Sequence, residues 1–450
     1  DRCIGCKSCM QACPYDALYI DPDTHTAAKC NYCAHKIDGG YEPACVIVCP
    51  VEAIISGDLD DTNSKISHLV SEEETITRKP EKGTKPNLYY VNGSPEMLDP
   101  NATKQDANYL WSEQSVGVGH FAKYADQRAS EADNENLLVQ LAMEYSAKTG
   151  KPIDQRAIDN VAKEIQQDID TKETRRVYDT PSKGVLWGWE VPAYVWTKAI
   201  ATGTFLMMAV WHFFNGGIDA SSELTGLIIT LVFMGLTGAL LVKDLDRPDR
   251  FLYVLLRPQW KSWLVRGAYI ITGFGGFVTL KLLDKYFRLG LEWLWWPGAV
   301  FAVMGAVYTA FLFNQARARD LWQIPIQSAI HMLVHALMAG SVAMMVIAPE
   351  TRESMAHILL WGIVLNMFFI AKEIFMPHDT PDTKKAIHLM TKGYYSKYFW
   401  AGIALGSVIP IIILNTMSGS TTLIAGGLIL IGIFLTEFVR IRVPQMIPLS

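Results

Sequence analysis

The sequence lacks several motifs that would assign it to common classes of protein. It has no cysteine after residue 49 and no C-x-x-C-H motif for attached haem. No G-x-G-x-x-G run follows a strand and no P-loop is present, which disfavours nucleotide binding. No base-reading or single-strand module occurs, so no nucleic-acid partner is expected. No signal peptide is visible, but the sequence starts at Asp1 without methionine, so this decides nothing about targeting.

The eight cysteines that are present form two groups with the spacing of iron–sulfur ligands. The first group reads C-x2-C-x2-C-x3-C-P and the second reads C-x2-C-x11-C-x3-C-P. In two-cluster ferredoxins the fourth cysteine of such a run binds the other cluster. The pattern therefore predicts two [4Fe–4S] clusters, one held by Cys3, Cys6, Cys9 and Cys49 and the other by Cys30, Cys33, Cys45 and Cys13.

Two other interpretations of the cysteines are weaker. Structural zinc also uses C-x2-C pairs, but three closely spaced thiolates suit the corner of a cubane better than a tetrahedral ion. Disulfides are typical of small secreted scaffolds. A cluster module followed by membrane helices is most simply an electron conductor between a soluble redox partner and the bilayer.

Charge and hydropathy divide the chain into two parts. Residues 1–186 carry 20 Lys and Arg against 30 Asp and Glu, whereas residues 187–450 carry 20 against 15. The second part contains repeated apolar stretches of about 20 residues, the length that crosses a bilayer. Eight membrane helices are predicted, at 191–214, 223–242, 263–282, 290–313, 327–349, 354–376, 399–416 and 421–440.

The predicted fold is multidomain. An α+β two-cluster ferredoxin-like domain occupies residues 1–60, and an all-α membrane domain of about eight helices occupies residues 187–450. Between them, residues 61–186 are predicted to be an irregular linker that carries an amphipathic helical hairpin. Apolar periodicity places the two helices of this hairpin at 134–147 and 152–177.

An even number of crossings places both termini on one side of the membrane. Loops on that side hold 12 Lys and Arg residues, and loops on the opposite side hold three. The positive-inside rule then predicts a multi-pass protein of the prokaryotic inner membrane with a cytoplasmic cluster domain. An alternative stays open, because basic loops could also attract the acidic cluster domain and produce the same bias.

Two regions of the sequence resemble known families. Residues 1–60 resemble electron-transfer subunits of molybdopterin oxidoreductases of the dimethyl sulfoxide and polysulfide reductase type, especially in the run K-C-N-Y-C-A-H-K-I-D-G-G-Y-E-P-A-C-V-I-V-C-P at 29–50. Those subunits usually hold four cubanes, so either two clusters are lost here or the sequence begins partway through the domain. Residues 185–450 resemble the NrfD/polysulfide reductase membrane subunit, a haem-free quinone-reactive protein. The matching segments are W-G-W at 187–189, D-L-D-R-P-D-R-F at 244–251, S-W at 262–263 and Y-T at 308–309.

A quinone site needs hydrogen-bond partners for two carbonyls and a route for two protons. Glu190, Tyr194 and Lys198 share one face of the first predicted membrane helix. Ionisable residues at such depth are costly and point to function, although Glu190 and Lys198 could also extend to the interface. The loop after the second helix contributes Asp244 and Arg247, which either close the quinone pocket or dock the cluster domain. The predicted quinone-binding residues are Tyr194, Lys198, Asp244, Arg247 and, from the resemblance, Tyr308.

Histidines on the fifth predicted helix suggest a route for protons. His331 and His335 share one face of that helix, and Glu373 lies late in the sixth. Two histidines at i and i+4 cannot be the two axial ligands of one haem, so no haem is expected, although His212 could pair with one of them. The predicted proton path comprises Glu190, His331, His335 and Glu373, and buried structural hydrogen bonding is the alternative.

These observations predict an electron-transfer and membrane-anchor subunit of a hetero-oligomeric respiratory oxidoreductase. Electrons would pass between a partner catalytic subunit, the two clusters and a membrane quinone, either menaquinone or ubiquinone. The resemblance implies that the partner contains molybdopterin, and no substrate-reducing site is apparent in this chain. Two alternatives are a proton-translocating subunit gated by cluster redox state and a non-catalytic anchor that recruits a redox partner.

Overall fold

A computed structural model describes residues 2–93, 98, 185–378, 380–416 and 419–447. The chain forms two compact units. The first unit combines residues 1–56 with residues 185–449, and the second contains residues 57–184. The predicted hairpin at 134–147 and 152–177 lies outside the described residues.

The cysteine-rich segment of the first unit is built from very short elements. Its helices are Ser8–Ala12, Ala34–Ile37 and Ala44–Ile47. Strands Leu18–Ile20 and Ala27–Lys29 form an antiparallel pair in which Leu18 lies opposite Lys29. Such short elements bury little apolar area, so this segment needs other interactions to stay folded.

Eight helices in the described residues are long and apolar enough to cross a membrane, as the sequence predicted. Each boundary lies within six residues of the predicted one. We number them first to eighth in chain order: Glu190–Asn215, Ala220–Lys243, Trp263–Phe287, Glu292–Gln315, Pro325–Ile347, Pro349–Phe375, Ser396–Thr416 and Gly419–Met446. The protein is therefore a multi-pass membrane protein with a small α+β cysteine-rich segment.

The first and fifth helices form the centre of the bundle. They are 89% and 72% buried, whereas the third and sixth are only 22% buried and present apolar surface to lipid. Two glycines allow the central pair to approach closely. A Cβ on Gly203 would lie 1.8 Å from the Ala336 carbonyl oxygen, and a Cβ on Gly340 would lie 2.1 Å from the Gly203 carbonyl oxygen. Small residues bring membrane helices together in this way because lipid provides no hydrophobic driving force.

The half of the bundle that contains the end of the first helix has an apolar core. Phe205 of the first helix packs edge-on against Phe274 of the third at 5.5 Å and, tilted, against Trp295 of the fourth at 5.0 Å. Met208 and Met344 are also buried there. This core lies beyond the close glycine contact, away from the side on which the chain enters the first helix.

The second unit is described only over residues 57–93 and 98. The segment predicted as loop contains one regular helix, Lys65–Glu72, because the Ser64 side chain caps its first turn by accepting from the Ser67 N–H. A 3-10 turn covers Pro80–Lys82, and strands Thr75–Ile76 and Tyr90–Val91 pair antiparallel.

Candidate functional site

Backbone N–H groups point at several of the cysteine sulfurs. Ala27 N–H donates to Cys3 Sγ at 3.3 Å, and Ala53 N–H donates to Cys49 Sγ at 3.1 Å. A third such contact, 3.4 Å long, joins the Tyr32 N–H to Cys30 Sγ. Hydrogen bonds of this type stabilise thiolates and tune the potential of iron–sulfur clusters.

The environment of Cys49 suits a thiolate ligand of a cluster. Backbone N–H groups, with that of Ile54 foremost, lower the pKa of the Cys49 thiol below its usual range. Among the described residues, no three His, Cys, Asp or Glu side chains converge as ligands of one metal ion would. A cubane binds each thiolate through a different iron atom, so its ligands surround a cage and need not converge.

The loop that carries Cys3, Cys6, Cys9 and Cys13, which we call the first cysteine loop, contacts the membrane bundle through backbone hydrogen bonds. The Ile4 carbonyl accepts from Arg247 N–H at 3.2 Å, and the Gly5 carbonyl accepts from Asp246 N–H at 3.3 Å. The Cys6 carbonyl accepts from the Trp187 indole at 3.2 Å. These contacts lie at the end of the bundle where the odd-numbered helices begin and the even-numbered helices end. We call this end the cluster-side edge.

Glycine is required where this loop meets the bundle. Gly5 has φ +69°, and a Cβ there would lie 2.6 Å from Asp246 Cβ. Two residues further along the loop, the Lys7 ammonium pairs with Asp246 Oδ1 at 3.1 Å and donates to the Asp244 carbonyl at 3.3 Å. The loop after the second helix therefore forms the seat of the first cysteine group.

A second contact joins the same cysteine loop to the C-terminus of the bundle. Arg319 is buried and donates to Gln11 Oε1 at 2.9 Å and to the Ile447 carbonyl at 2.8 Å. Gln11 in turn donates to Gln445 Oε1 at 2.7 Å, which also accepts the Trp187 N–H at 2.9 Å. Burial lowers the pKa of Arg319 to about 10, so it remains a cation at neutral pH.

Lys198 lies at the centre of the predicted quinone-binding group. It is 1% exposed, and its ammonium donates to the Thr309 hydroxyl and, at 3.2 Å, to the Ala306 carbonyl. The same ammonium lies 4.4 Å from the centre of the Tyr308 ring. Gly267 makes room for that ring, because a Cβ there would lie 2.2 Å from Tyr308 Cε2. The structure thus brings Lys198 and Tyr308 together.

Tyr194 lies between Lys198 and the cluster-side edge, and Glu190 and Asp244 lie at that edge. Tyr194 is buried within electrostatic range of both Tyr308 and Asp244. Glu190 pairs with Lys243 at 3.3 Å, so it belongs to this edge and not to the histidines of the fifth helix. Burial raises the pKa of Asp244 to about 7, against the opposing charge of Lys7.

Arg247 is placed differently from the other predicted quinone residues. Its guanidinium makes a two-pronged pair with Asp249, with bonds of 2.9 and 2.8 Å, and donates to the Thr24 carbonyl at 3.0 Å. The Asp249 carboxylate raises the pKa of Arg247, and the guanidinium lowers the pKa of Asp249. Of the two roles considered for this loop, the contacts of Arg247 favour docking of the cysteine-rich segment.

His331 and His335 meet one amide of the sixth helix. Asn366 Oδ1 lies 2.7 Å from His331 Nε2 and 2.9 Å from His335 Nε2. The Asn366 amide nitrogen is 3.5 Å from the hydroxyl of Ser407. Ser407 lies in a π turn, Ala404–Val408, of the seventh helix, and such turns are frequent at functional sites.

The eighth helix completes this network with two residues that the sequence analysis missed. Glu437 Oε1 lies 3.0 Å from His335 Nδ1, and Arg440 donates to His331 Nδ1 at 3.0 Å. Arg440 also pairs with Glu373 at 3.0 Å. The available signal was an acidic and a basic residue three positions apart at the end of an apolar run, which in a membrane helix points to function.

A small cavity adjoins the network at the cluster-side edge. Its volume is about 20 Å³, enough for about one water molecule. Its lining includes the charged side chains of Glu373, Glu437 and Arg440 and the aromatic rings of Phe313 and Trp322. Trp322 stacks on Trp187 at 5.5 Å. The cavity therefore lies between the aromatic stack beneath the cysteine loop and the charged network.

A separate charged group lies at the opposite edge. Lys281 is fully buried and pairs at 2.8 Å with both Asp284 and Glu292. His212 lies 3.8 Å from Glu292 and stacks on Trp295. His212 is therefore at the far end of the first helix from the level of His331 and His335.

Comparison with known families identifies both parts of the chain. A model described as "Polysulphide reductase, NrfD" matches residues 179–448, and a model described as "4Fe-4S dicluster domain" matches residues 1–59. The first match covers more than half of the sequence. An iron–sulfur dicluster domain joined to a membrane domain of this kind has an electron-transfer role.

Individual relatives resemble only part of the chain. One chain of the polysulfide reductase of Wolinella succinogenes is 46% identical over 92 residues, which are 20% of this sequence and 48% of that protein. One subunit of the tetrathionate reductase of Salmonella typhimurium is 41% identical over 101 residues, 22% of this sequence and 40% of that one. Protein NrfC of Escherichia coli is 47% identical over 92 residues, 20% and 41% respectively. The chain thus spans less than half the length of these curated relatives.

Proposed function

This protein belongs to the NrfD polysulphide reductase family, and on that premise we propose that it passes electrons between a partner catalytic subunit and a membrane quinone. Two [4Fe–4S] clusters carry the electrons between these two sites. The relatives named as parts of reductases support a catalytic partner, which we propose to be a molybdopterin enzyme.

We propose that the eight cysteines hold the two clusters with crossed fourth ligands. When bound, the clusters supply one-electron carriers. The backbone N–H groups at Cys3, Cys30 and Cys49 stabilise the thiolate form that binds iron. The first cluster takes Cys3, Cys6, Cys9 and Cys49, and the second takes Cys30, Cys33, Cys45 and Cys13.

The observation that carries the proposal is the seat of the first cysteine loop on the membrane bundle. The Cys6 carbonyl accepts a hydrogen bond from Trp187, which begins the aromatic stack with Trp322 and Phe313. Electrons from a cluster at this loop enter the bundle only at the cluster-side edge. The quinone site belongs at the same edge, because electron transfer across the rest of the bilayer would be far slower.

The quinone pocket that we propose is formed by Tyr194, Lys198, Tyr308 and Asp244, with Arg247 holding the cysteine-rich segment above it. The Lys198 ammonium and the tyrosine hydroxyls are donors for a quinone carbonyl. Asp244 has a pKa of about 7 and can exchange a proton near neutral pH. The proton route that we propose continues through His335 and Glu373, and His331 positions this network through its contacts with Asn366 and Arg440. Glu190 exchanges protons at the cluster-side edge, near Asp244.

Oxidation of reduced clusters by added quinone tests this function. In the full-length protein in nanodiscs, Lys198→Met should slow the quinone-dependent step on the order of tenfold, because a buried hydrogen bond is lost. Lys285→Met makes the same change at the opposite edge, where Lys285 pairs with Glu223, and should leave the rate unchanged. Equal rates in wild type and Lys198→Met would refute the pocket.

We further propose that the cluster domain faces the cytoplasm of a prokaryotic cell. Three basic loop residues, Arg247, Arg250 and Arg319, contact the cysteine-rich segment and so reflect docking. Without these three, the cluster-side loops still hold nine Lys and Arg against three in the opposite loops. If a reporter enzyme fused to the C-terminus were active only on the outer side of the inner membrane, this orientation would be overturned.

A further inference from the structure

The hydrogen bonds of Arg440 determine the protonation of His331. Arginine has donors only and stays charged in proteins, so His331 Nδ1, 3.0 Å from the Arg440 guanidinium, must be an acceptor. The proton of a neutral His331 ring is then on Nε2, which donates to Asn366 Oδ1 at 2.7 Å. His331 is therefore held as one neutral tautomer.

The same reasoning extends to His335 through the shared amide. Because Asn366 presents its oxygen to His331, it presents the same oxygen to His335 Nε2 at 2.9 Å. His335 Nε2 must therefore carry a proton. His335 Nδ1 then faces Glu437 Oε1 at 3.0 Å. Without a further proton, two acceptors would oppose each other at hydrogen-bond distance, which is unfavourable in a buried site.

One proton must consequently lie between His335 and Glu437. It is either on the ring, giving an imidazolium facing a carboxylate, or on the carboxyl, giving a neutral pair. Only this contact in the network can exchange a proton without breaking the bonds of Asn366 and Arg440. The charged and titratable groups that surround it are His331, Glu373, Arg440 and, within electrostatic range from the first helix, Lys198.

We infer that the His335–Glu437 pair is the proton-carrying element of the membrane domain and that His331 is a positioning residue. A proton moves from His335 Nδ1 to Glu437 Oε1 and then to water in the adjoining cavity, which Glu437 lines. A quinol at the proposed site would release the proton that refills the pair when its electrons pass to the clusters, and reduction of a quinone by the clusters would take a proton from the pair by the same steps in reverse. The pair itself therefore gains or loses no proton overall. This inference rests on the proposed quinone chemistry for its proton source.

Substitution by glutamine separates the two histidines. In His331→Gln, an amide oxygen can accept from Arg440 and an amide nitrogen can donate to Asn366, so the neutral ring is replaced in kind. In His335→Gln and Glu437→Gln, the group that holds the mobile proton is removed. Proton-coupled quinol turnover should fall on the order of 100-fold in the last two variants. It should stay within about twofold of wild type in His331→Gln.

Infrared difference spectra recorded on cycling pH, with no quinone present, give a readout independent of turnover. Wild-type protein should show a carboxyl band from Glu437 and an imidazole band from His335. Both of these bands should vanish in Glu437→Gln and in His335→Gln, and both should persist in His331→Gln. Glu437→Asp keeps a carboxyl group and should shift the carboxyl band. This variant still tests the assignment if Glu437→Gln does not fold.

Each outcome assigns the failure to one of the two proposals. Unchanged bands in Glu437→Gln, or loss of the bands in His331→Gln with intact cluster absorbance, would overturn the assignment of the pair. Normal bands together with no quinone-dependent cluster oxidation would instead refute the proposed quinone function, and the pair would then be a proton carrier without that source.

Discussion

Asp244 should make the stability of the protein fall as pH rises through neutrality. This carboxyl lies at the end of the second helix, where burial raises its pKa from 3.8 to about 7. A raised pKa means that the folded protein binds the proton more tightly than the unfolded chain does. The stabilisation is therefore complete below about pH 4 and is lost as pH rises through about 7.

The size of the effect follows from the two pKa values. At about 1.36 kcal/mol for each unit of pKa difference, wild-type protein should lose about 2 to 3 kcal/mol of unfolding free energy between about pH 5 and about pH 8. Asp244→Asn cannot ionise, so its stability should be nearly level over that range. Denaturant titrations in detergent at several pH values measure both slopes.

A neighbouring carboxylate provides the control of opposite sign. Arg247 lowers the pKa of Asp249, so Asp249 stabilises the fold above about pH 4 and loses that effect only in acid. Asp249→Asn should therefore keep the wild-type decline between about pH 5 and about pH 8. Wild-type stability that is level or rises over this range, or the same decline in Asp244→Asn, would refute the assignment to Asp244.

Three further predictions concern the clusters, the docking contact and the helix packing. Cys13→Ala should alter the electron paramagnetic resonance signal of the cluster assigned to Cys30, Cys33 and Cys45, and a change confined to the other cluster would contradict the crossed pairing. Arg319→Leu removes the donor to Gln11 Oε1 and to the Ile447 carbonyl and should destabilise the docked cysteine segment by about 1 to 3 kcal/mol, seen as loss of cluster absorbance at a lower urea concentration. Gly203→Ala should impair folding, because its Cβ would meet a carbonyl oxygen at 1.8 Å, whereas Gly427→Ala meets nothing within 4 Å and should fold normally.

Apolar run length was sufficient to predict the membrane architecture. A span must present about 20 apolar residues whatever its neighbours are, so each of the eight helices is determined by its own sequence. Helix ends were also close to prediction, with the third helix beginning at Trp263 as expected. The cysteine spacing is equally local, since each group of ligands lies within about 20 residues of chain.

The polar contacts between helices could not be read in the same way. Arg247 and Glu190 were grouped with other residues by sequence proximity and chemistry, but their partners are Asp249 and Lys243. Helix periodicity states which residues share a face, not which helix that face meets. Glu437 was overlooked for the same reason, because its partner His335 is about 100 residues away in the sequence.

The depth of the buried polar residues connects the electron and proton routes that we propose. Lys198 lies about eight residues into the first helix, or about 12 Å at 1.5 Å per residue, and His335 lies about ten residues into the fifth, or about 15 Å. Glu437 is at a similar depth from the end of the eighth helix, within electrostatic range of Lys198. Beyond this level the bundle closes around Phe205 and Phe274. A quinol oxidised at the proposed site near Lys198 would therefore give its electrons and its protons to the same edge of the bundle, because the apolar core around Phe205 and Phe274 separates Lys198 from the charged group of Lys281, Asp284 and Glu292 at the opposite edge.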